Sequence, residues 1–345
     1  MTALIRYRMP DGADVVGQAG STITIQVAMP ADDAGHIGRQ CPTCKRMFRI
    51  HADDFQALPD DQRLTCPYCC TVEDHSEFVT EQQQQRALGA AGEVGLQLAE
   101  QRLDTMFKDM VRRVNSRRGG VRMSYSGSSG SRHPRSLPQI IEEAPIRERT
   151  CQGCGNRYAV FGEHVACPTC GPLPALIIAE DALAAQECVL DVLPQLPLEI
   201  RDELREAGAL ERTAAGILGS AVSIIEMFLK RTFLDRVAGG DAIIAKKGTI
   251  FQRLDDAAKL YRDHMGIDLP AALGTPEWDR LSVLYGIRHL LTHTNGVVDQ
   301  KHVTRFPRQG FVVGQRVSAT LDDAREVLHL AGRLVAQLPA TWLRC

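Results

Sequence analysis

Arg288, His289 and His293 fall within six residues, RHLLTH, in a run whose other members are mostly apolar. On a helix advancing about 100° per residue, Leu281, Leu284, Tyr285, Leu291 and Thr292 share one stripe, and Arg288 falls inside it. An arginine there must snorkel, pair with an acid, or face another surface that takes its charge. His289 and His293 are four apart and lie one above the other on an adjoining face. The Asn295-Gly296 break leaves His293 at the helix end. One fixed cation beside two imidazoles suits cleavage of a phosphodiester next to a ribose 2′-hydroxyl. An imidazole of near-neutral pKa can take or return the proton, and a guanidinium stabilises charge on the phosphoryl oxygens. No metal is needed for that reaction, and the motif has no carboxylate cluster for magnesium. Two other readings fit the same residues. Arg288 could pair inside the fold, with Glu226 as the acid, or His289 and His293 could hold a metal with His302 or Asp299 as third ligand.

The second set of chemical residues is the cysteines. Eight of the eleven fall as four CxxC pairs. Each pair presents two thiolates to one ion, and two pairs complete a tetrahedral sulfur site. The spacing predicts two Zn2+ ions per chain, one held by Cys41, Cys44, Cys66 and Cys69 and one by Cys151, Cys154, Cys167 and Cys170. Both are expected to be structural, because neither set keeps an open coordination position beside a general base. Cys70 adjoins the first set and reads as a bystander, while Gly155 and Gly171 follow their pairs where the turn must open. A redox dithiol is the rival, but it suits one isolated pair before a helix rather than two matched sets. Cys188 reads as a core residue of an apolar helix and Cys345 as an incidental terminal thiol.

These residues must be positioned by two kinds of structure. Residues 22–29 alternate as a strand, and 81–115 form a long helix with Leu96, Leu103 and Phe107 available for packing. From 116 to 148 the composition turns to Ser, Gly, Arg and Pro and predicts a basic flexible linker. Helices are expected over 175–191, 198–208, 210–236, 249–265, 276–293 and 318–338, with a short extended excursion at 303–313. The organisation is therefore an N-terminal ribbon at 1–80, a helix at 81–115, the linker at 116–148, a second ribbon at 149–172 and a helical domain at 173–345. The fold class is mainly α: a C-terminal helical bundle preceded by two small β-rich zinc ribbons.

At 345 residues the chain has room for several domains. Its net charge of −2 gives no general attraction to nucleic acid. Residues 106–135, however, gather Lys108, Arg112, Arg113, Arg117, Arg118, Arg122, Arg132 and Arg135 against the single acid Asp109, a local footprint that can follow phosphates. The first residues lack a signal-peptide pattern and no window reads as a membrane span, so a cytoplasmic protein is expected. No phosphate-binding glycine loop, nucleophile elbow or His-Glu-x-x-His helix is present.

The RHLLTH segment resembles the Arg-x(4–6)-His motif of the HEPN superfamily, with a polar residue directly after the arginine. Its place near the end of the penultimate long helix fits as well, and the resemblance covers about 175–345. It implies a helical bundle that dimerises so that two motifs form one cleft, and a metal-independent endoribonuclease. Arg288 would contact phosphate, His289 would orient, and His293 would act as acid and base. The family's associations imply bacterial antiphage or toxin-type defence, with a regulatory protein partner or a phage-derived trigger. They also include catalytically inert modules that bind nucleic acid or protein. A different class of protein, an adaptor whose ribbons do the specific work, would use Lys45, Arg46, Phe48 and Arg49 in one ribbon and Arg157 with Tyr158 in the other.

Overall fold

The computed structural model describes residues 7–116, 122–127, 133–143, 147–245 and 247–341. Arg117, Arg118 and Arg132 of the basic stretch, and Cys345, lie outside the described residues. The chain divides into two units, residues 1–161 with 166–171 and residues 162–165 with 172–345.

In the first unit, alternation of β-branched residues gives the hairpin β1 (Ala13–Ala19) and β2 (Thr22–Val27). Each CxxC turn then joins two short strands. β3 (His36–Gln40) and β4 (Met47–His51) flank the first turn. After the one-turn helix α1 (Ala52–Gln56), β5 (Arg63–Thr65) and β6 (Val72–Asp74) flank the second. Helix α2 (Glu81–Asn115) follows, opened by a capping box between Thr80 and Gln83. β7 (Glu148–Thr150) with β8 (Arg157–Val160), and β9 (Ala166–Cys167) with β10 (Gly171–Pro172), flank the third and fourth turns.

The two cysteine modules, separate in sequence, are joined by hydrogen-bonded strands. β4 pairs antiparallel with β8, Phe48 opposite Val160 and Ile50 opposite Tyr158, in one sheet of order β3-β4-β8-β7. These four side chains are buried and form much of the unit's small core with Leu64 and Phe78.

The stretch whose composition predicts a linker is fastened to α2 over part of its length. Gln82 donates to the Ile141 carbonyl at 2.8 Å and accepts from its N–H, Arg86 donates to the Pro138 carbonyl at 2.8 Å, and Leu137 is buried.

The second unit is helical: α3 (Ala175–Val192), α4 (Leu198–Glu206), α5 (Ala209–Arg236), α6 (Gly240–Ile244), α7 (Leu254–Met265), α8 (Leu269–Leu273), α9 (Thr275–His293), α10 (Gln300–Arg305) and α11 (Leu321–Thr341). α5 is long and apolar enough to cross a membrane by length and composition. Here it is the central helix, packed on α3, α9 and α11, with Leu218, Ile225, Phe228 and Phe233 fully buried.

α9 begins with Pro276 in its first turn and ends where Asn295 and Gly296 take left-handed backbone, φ 52° and 79°. A Cβ at position 296 would meet the Val317 carbonyl oxygen at 2.3 Å, so the stop requires glycine. Residues 303–313 are not the extended excursion expected from their sequence. Asp299 caps α10 by accepting from the His302 N–H at 2.7 Å, and the helix runs to Arg305 before Pro307.

Candidate functional site

The four CxxC turns are built alike. The residue after each second cysteine has left-handed backbone: Lys45 at φ 61°, Cys70 at 59°, Gly155 at 78° and Gly171 at 89°. In three of the turns that residue's N–H closes on the carbonyl of the first cysteine, at 3.1 Å from Lys45 to Cys41, 3.1 Å from Cys70 to Cys66 and 2.8 Å from Gly155 to Cys151. Backbone N–H groups also point at the sulfurs, Thr43 to Cys41 Sγ, Tyr68 to Cys66 Sγ and Thr169 to Cys167 Sγ, each at 3.4 Å. Cys70 therefore has a definite place: it opens the turn, as glycine does in the second module, and is not one of the gathered thiols.

The thiols meet as two sets of four, each set within 4.8 Å. Close pairs are Cys41 with Cys69 at 3.6 Å, Cys44 with Cys66 at 3.7 Å, Cys151 with Cys170 at 3.4 Å and Cys154 with Cys167 at 3.7 Å. A tetrahedron with metal–sulfur bonds of about 2.3 Å has edges of about 3.8 Å, so both sets fit a four-thiolate metal site. Their electrostatics agree. Against the opposing effect of burial, hydrogen bonds from Thr71, Cys66 and Cys41 bring the Cys69 thiol down to about 6. In the second set, again against burial, the N–H groups of Cys154 and Gly153 and neighbouring thiols bring Cys151 down to about 7. Burial holds Cys66 and Cys167 well above the ordinary thiol range. One thiolate per set forms readily, and further ones so close together call for a cation.

The two sets also brace each other. Thr65 N–H donates to the Pro168 carbonyl at 2.7 Å, and Ala166 N–H donates to the Pro67 carbonyl at 3.2 Å, a reciprocal exchange between the second turns of the modules. Arg46 lies 3.5 Å over the Tyr68 ring, and the Tyr68 hydroxyl joins the Met47 carbonyl to the Phe161 N–H. Arg49 is buried on Asp32 at 2.7 Å, and Arg157 is held by Asp54 at 2.8 Å. Those two arginines are engaged within the unit.

The end of α9 is arranged differently. Arg280, two turns before Arg288, is held by Glu326 at 2.7 Å and Asp323 at 2.8 Å. Arg288 is half-buried, and its guanidinium makes no hydrogen bond or ion pair with any described residue. Pairing with Glu226 does not occur. The Tyr285 hydroxyl, buried and without a hydrogen-bond partner among the described residues, is held far above its usual range by burial, then by the charge of Glu226, with Arg288 opposing.

His289 and His293 are exposed, with ring centroids 4.6 Å apart. Burial, then the neighbouring His293 and Arg288, lower the pKa of His289. His302 is buried against Phe306 and Phe311, and Gly286 makes room for it, since a Cβ there would lie 2.8 Å from its ring. Among the described residues the two cysteine sets are the only groups of three or more His, Cys, Asp or Glu side chains gathered for a metal, so His289, His293 and His302 do not assemble one. His302, weighed in the sequence as a third metal ligand, is a buried packing residue. Tyr285 was not separable from ordinary packing residues in the sequence, since the apolar stripe carried no signal of where its hydroxyl would end up.

Fold and site together define a chain with two four-cysteine, zinc-ribbon-like modules and a C-terminal helical unit. No protein-family model matches the chain, and no solved structure matches it. The hydrogenase maturation factor HypA of Prosthecochloris aestuarii is 30% identical over 53 residues, 15% of this chain and 47% of that protein. The chain thus spans about half the length of this curated relative.

Proposed function

We propose that the chain is a metal-independent endoribonuclease of HEPN type, with Arg288, His289 and His293 at its centre and Zn2+ in both cysteine sets. The observation that carries this reading is the contrast along α9: Arg280 is saturated by two carboxylates, whereas Arg288 stands without a partner among the described residues beside two imidazoles. A half-buried guanidinium left unpaired is suited to a ligand that brings negative charge.

His293 takes the proton of the ribose 2′-hydroxyl, the 2′-oxygen bonds to phosphorus, and the 5′-oxygen leaves with a proton returned by an imidazole. Arg288 stabilises the charge on the non-bridging oxygens. His289, with its lowered pKa, is largely neutral near pH 7 and orients the substrate by hydrogen bonding. A homodimer through the helical unit would place two motifs in one cleft and supply separate imidazoles for base and acid. Bound Zn2+ supplies folding energy to the ribbons. Antiphage or toxin-type defence in the cytoplasm, released by a trigger or a regulatory partner, is the setting this chemistry fits.

The test is product analysis with RNA and the full chain, under conditions where the wild type cleaves. A 2′,3′-cyclic phosphate and a 5′-hydroxyl are expected, unaffected by brief EDTA, with no cleavage at a 2′-deoxy position. Products with a 3′-hydroxyl, or loss of activity within seconds of EDTA, contradict the mechanism.

A further inference from the structure

Helix α2 carries an apolar face that the described residues leave largely uncovered, Phe107 excepted, on which Tyr125 stacks with ring centroids 5.3 Å apart. Its first half is engaged, with Ala90, Glu93 and Val94 buried and Gln97 bonded to the backbone of Arg8. Beyond that point Leu96, Leu103 and Met110 are exposed at intervals of seven, Leu103 by 51%. Ala99 and Met106 lie between them on the same face, Met106 exposed by 67%. Leu103, Met106, Phe107, Met110 and Val114 line a surface groove of about 470 Å³. A stripe repeating every 3.5 residues along about 27 Å of helix is the pattern of a coiled-coil seam, whereas a helix lying on a globular core follows 3.6.

We infer that α2 pairs with α2 of a second copy of this chain as a short antiparallel coiled coil. In that packing the positions of Leu96, Leu103 and Met110 meet the positions of Arg113, Met106 and Ala99 on the partner. The charged residues beside the seam select this orientation. Arg102 and Asp109 are seven apart on one flank, and antiparallel pairing sets each Arg102 against the partner's Asp109, twice by symmetry. Among the described residues Asp109 is engaged by Arg112 at 3.2 Å, an exposed pair that costs little to rearrange. A parallel pair would instead stack Arg113 on Arg113 and leave Arg102 opposite Phe107. In the antiparallel pair Arg113 meets Leu96 at the end of the seam, where its stem covers apolar surface and its head reaches water. The pairing is independent of the α9 site and of any contact made by the helical unit.

A photoreactive benzoylphenylalanine in place of Leu103, in the full zinc-loaded chain, reads this contact directly. The account expects an interchain adduct within residues 104–108 of the partner. An adduct at the partner's own position 103, an adduct outside α2, or no interchain adduct overturns it. Arg102→Asp and Asp109→Arg, made separately on that background, should each lower the adduct yield roughly tenfold, since two attractions become repulsions. Mixing the two variants should restore it, because each then meets its opposite charge. Failure of the mixture to recover the yield overturns the antiparallel pairing. RNA cleavage is not part of this readout, so its outcome is separate from that of the proposed nuclease.

Discussion

The cysteine sets and the end of α9 are opposite kinds of site. In the first, each thiol has a neighbouring thiol at 3.4–3.7 Å and backbone N–H groups support the sulfurs, so the groups engage one another. In the second, the half-buried Arg288 guanidinium and the buried Tyr285 hydroxyl have no hydrogen-bond partner among the described residues, and two exposed imidazoles lie beside each other, whereas Arg280 on the same helix is paired. A set closed upon itself contributes to stability. A set left open at a cost in desolvation is poised for something outside the chain. The two regions should therefore respond to substitution in opposite ways.

The largest effect lies in the ribbons. Structural zinc contributes on the order of 10 kcal/mol to small sites, and the β4–β8 pairing ties the two sets together. Cys151→Ser should therefore release close to two metal ions per chain rather than one, read by metal analysis. Far-UV circular dichroism should keep most of its helical signal, because the helical unit has its own core. Retention of one ion would separate the two sets.

Two arginines on α9 sharpen the contrast. Arg280→Ala should cost up to about 1 kcal/mol of stability, since it removes two partly exposed ion pairs, to Glu326 and Asp323. Arg288→Ala should leave the melting temperature nearly unchanged and remove most turnover. Thermal melts together with activity assays would reveal the reverse pattern if Arg288 were structural.

Cys70 offers a smaller test. Its left-handed backbone, φ 59°, strains any residue with a Cβ. Cys70→Gly should raise the stability of the ribbon unit by about 1 kcal/mol and keep both metals, whereas loss of an ion would make Cys70 a ligand.

The smallest effect is a titration. His289 has its pKa lowered by burial, His293 and Arg288, so the folded state binds fewer protons there than the unfolded one. Its contribution to stability is present above the unfolded pKa of about 6.5 and is lost as pH falls through the folded value. Histidine NMR should show that pKa moving back up in Arg288→Ala.

Much of this was legible in the sequence. CxxC spacing with Gly155 and Gly171 identifies the turns because both the ligands and the left-handed positions are local. The long helices follow from apolar periodicity, and Asn295-Gly296 marks the end of α9. The β4–β8 pairing was not legible, since three residues on each strand carry no signal of which distant edge they meet. Nor was the fastening of residues 137–141, because the Ser, Gly and Arg content of the stretch before them hides Leu137, and backbone groups captured by α2 leave no mark in the sequence. At 303–313 extension was expected, but the Asp299 cap carries a helix as far as Arg305, and a single 3-10 turn follows over Pro307–Gln309.

The central claim, that the open site on α9 carries the chemistry and the ribbons do not, is tested most directly by one comparison. RNA cleavage is measured for the zinc-loaded wild type and for His293→Ala, under conditions where the wild type is active and both proteins are equally folded. The account predicts a rate lower by roughly 10²–10⁴, the usual contribution of general acid–base catalysis. Equal rates in the two proteins would contradict it.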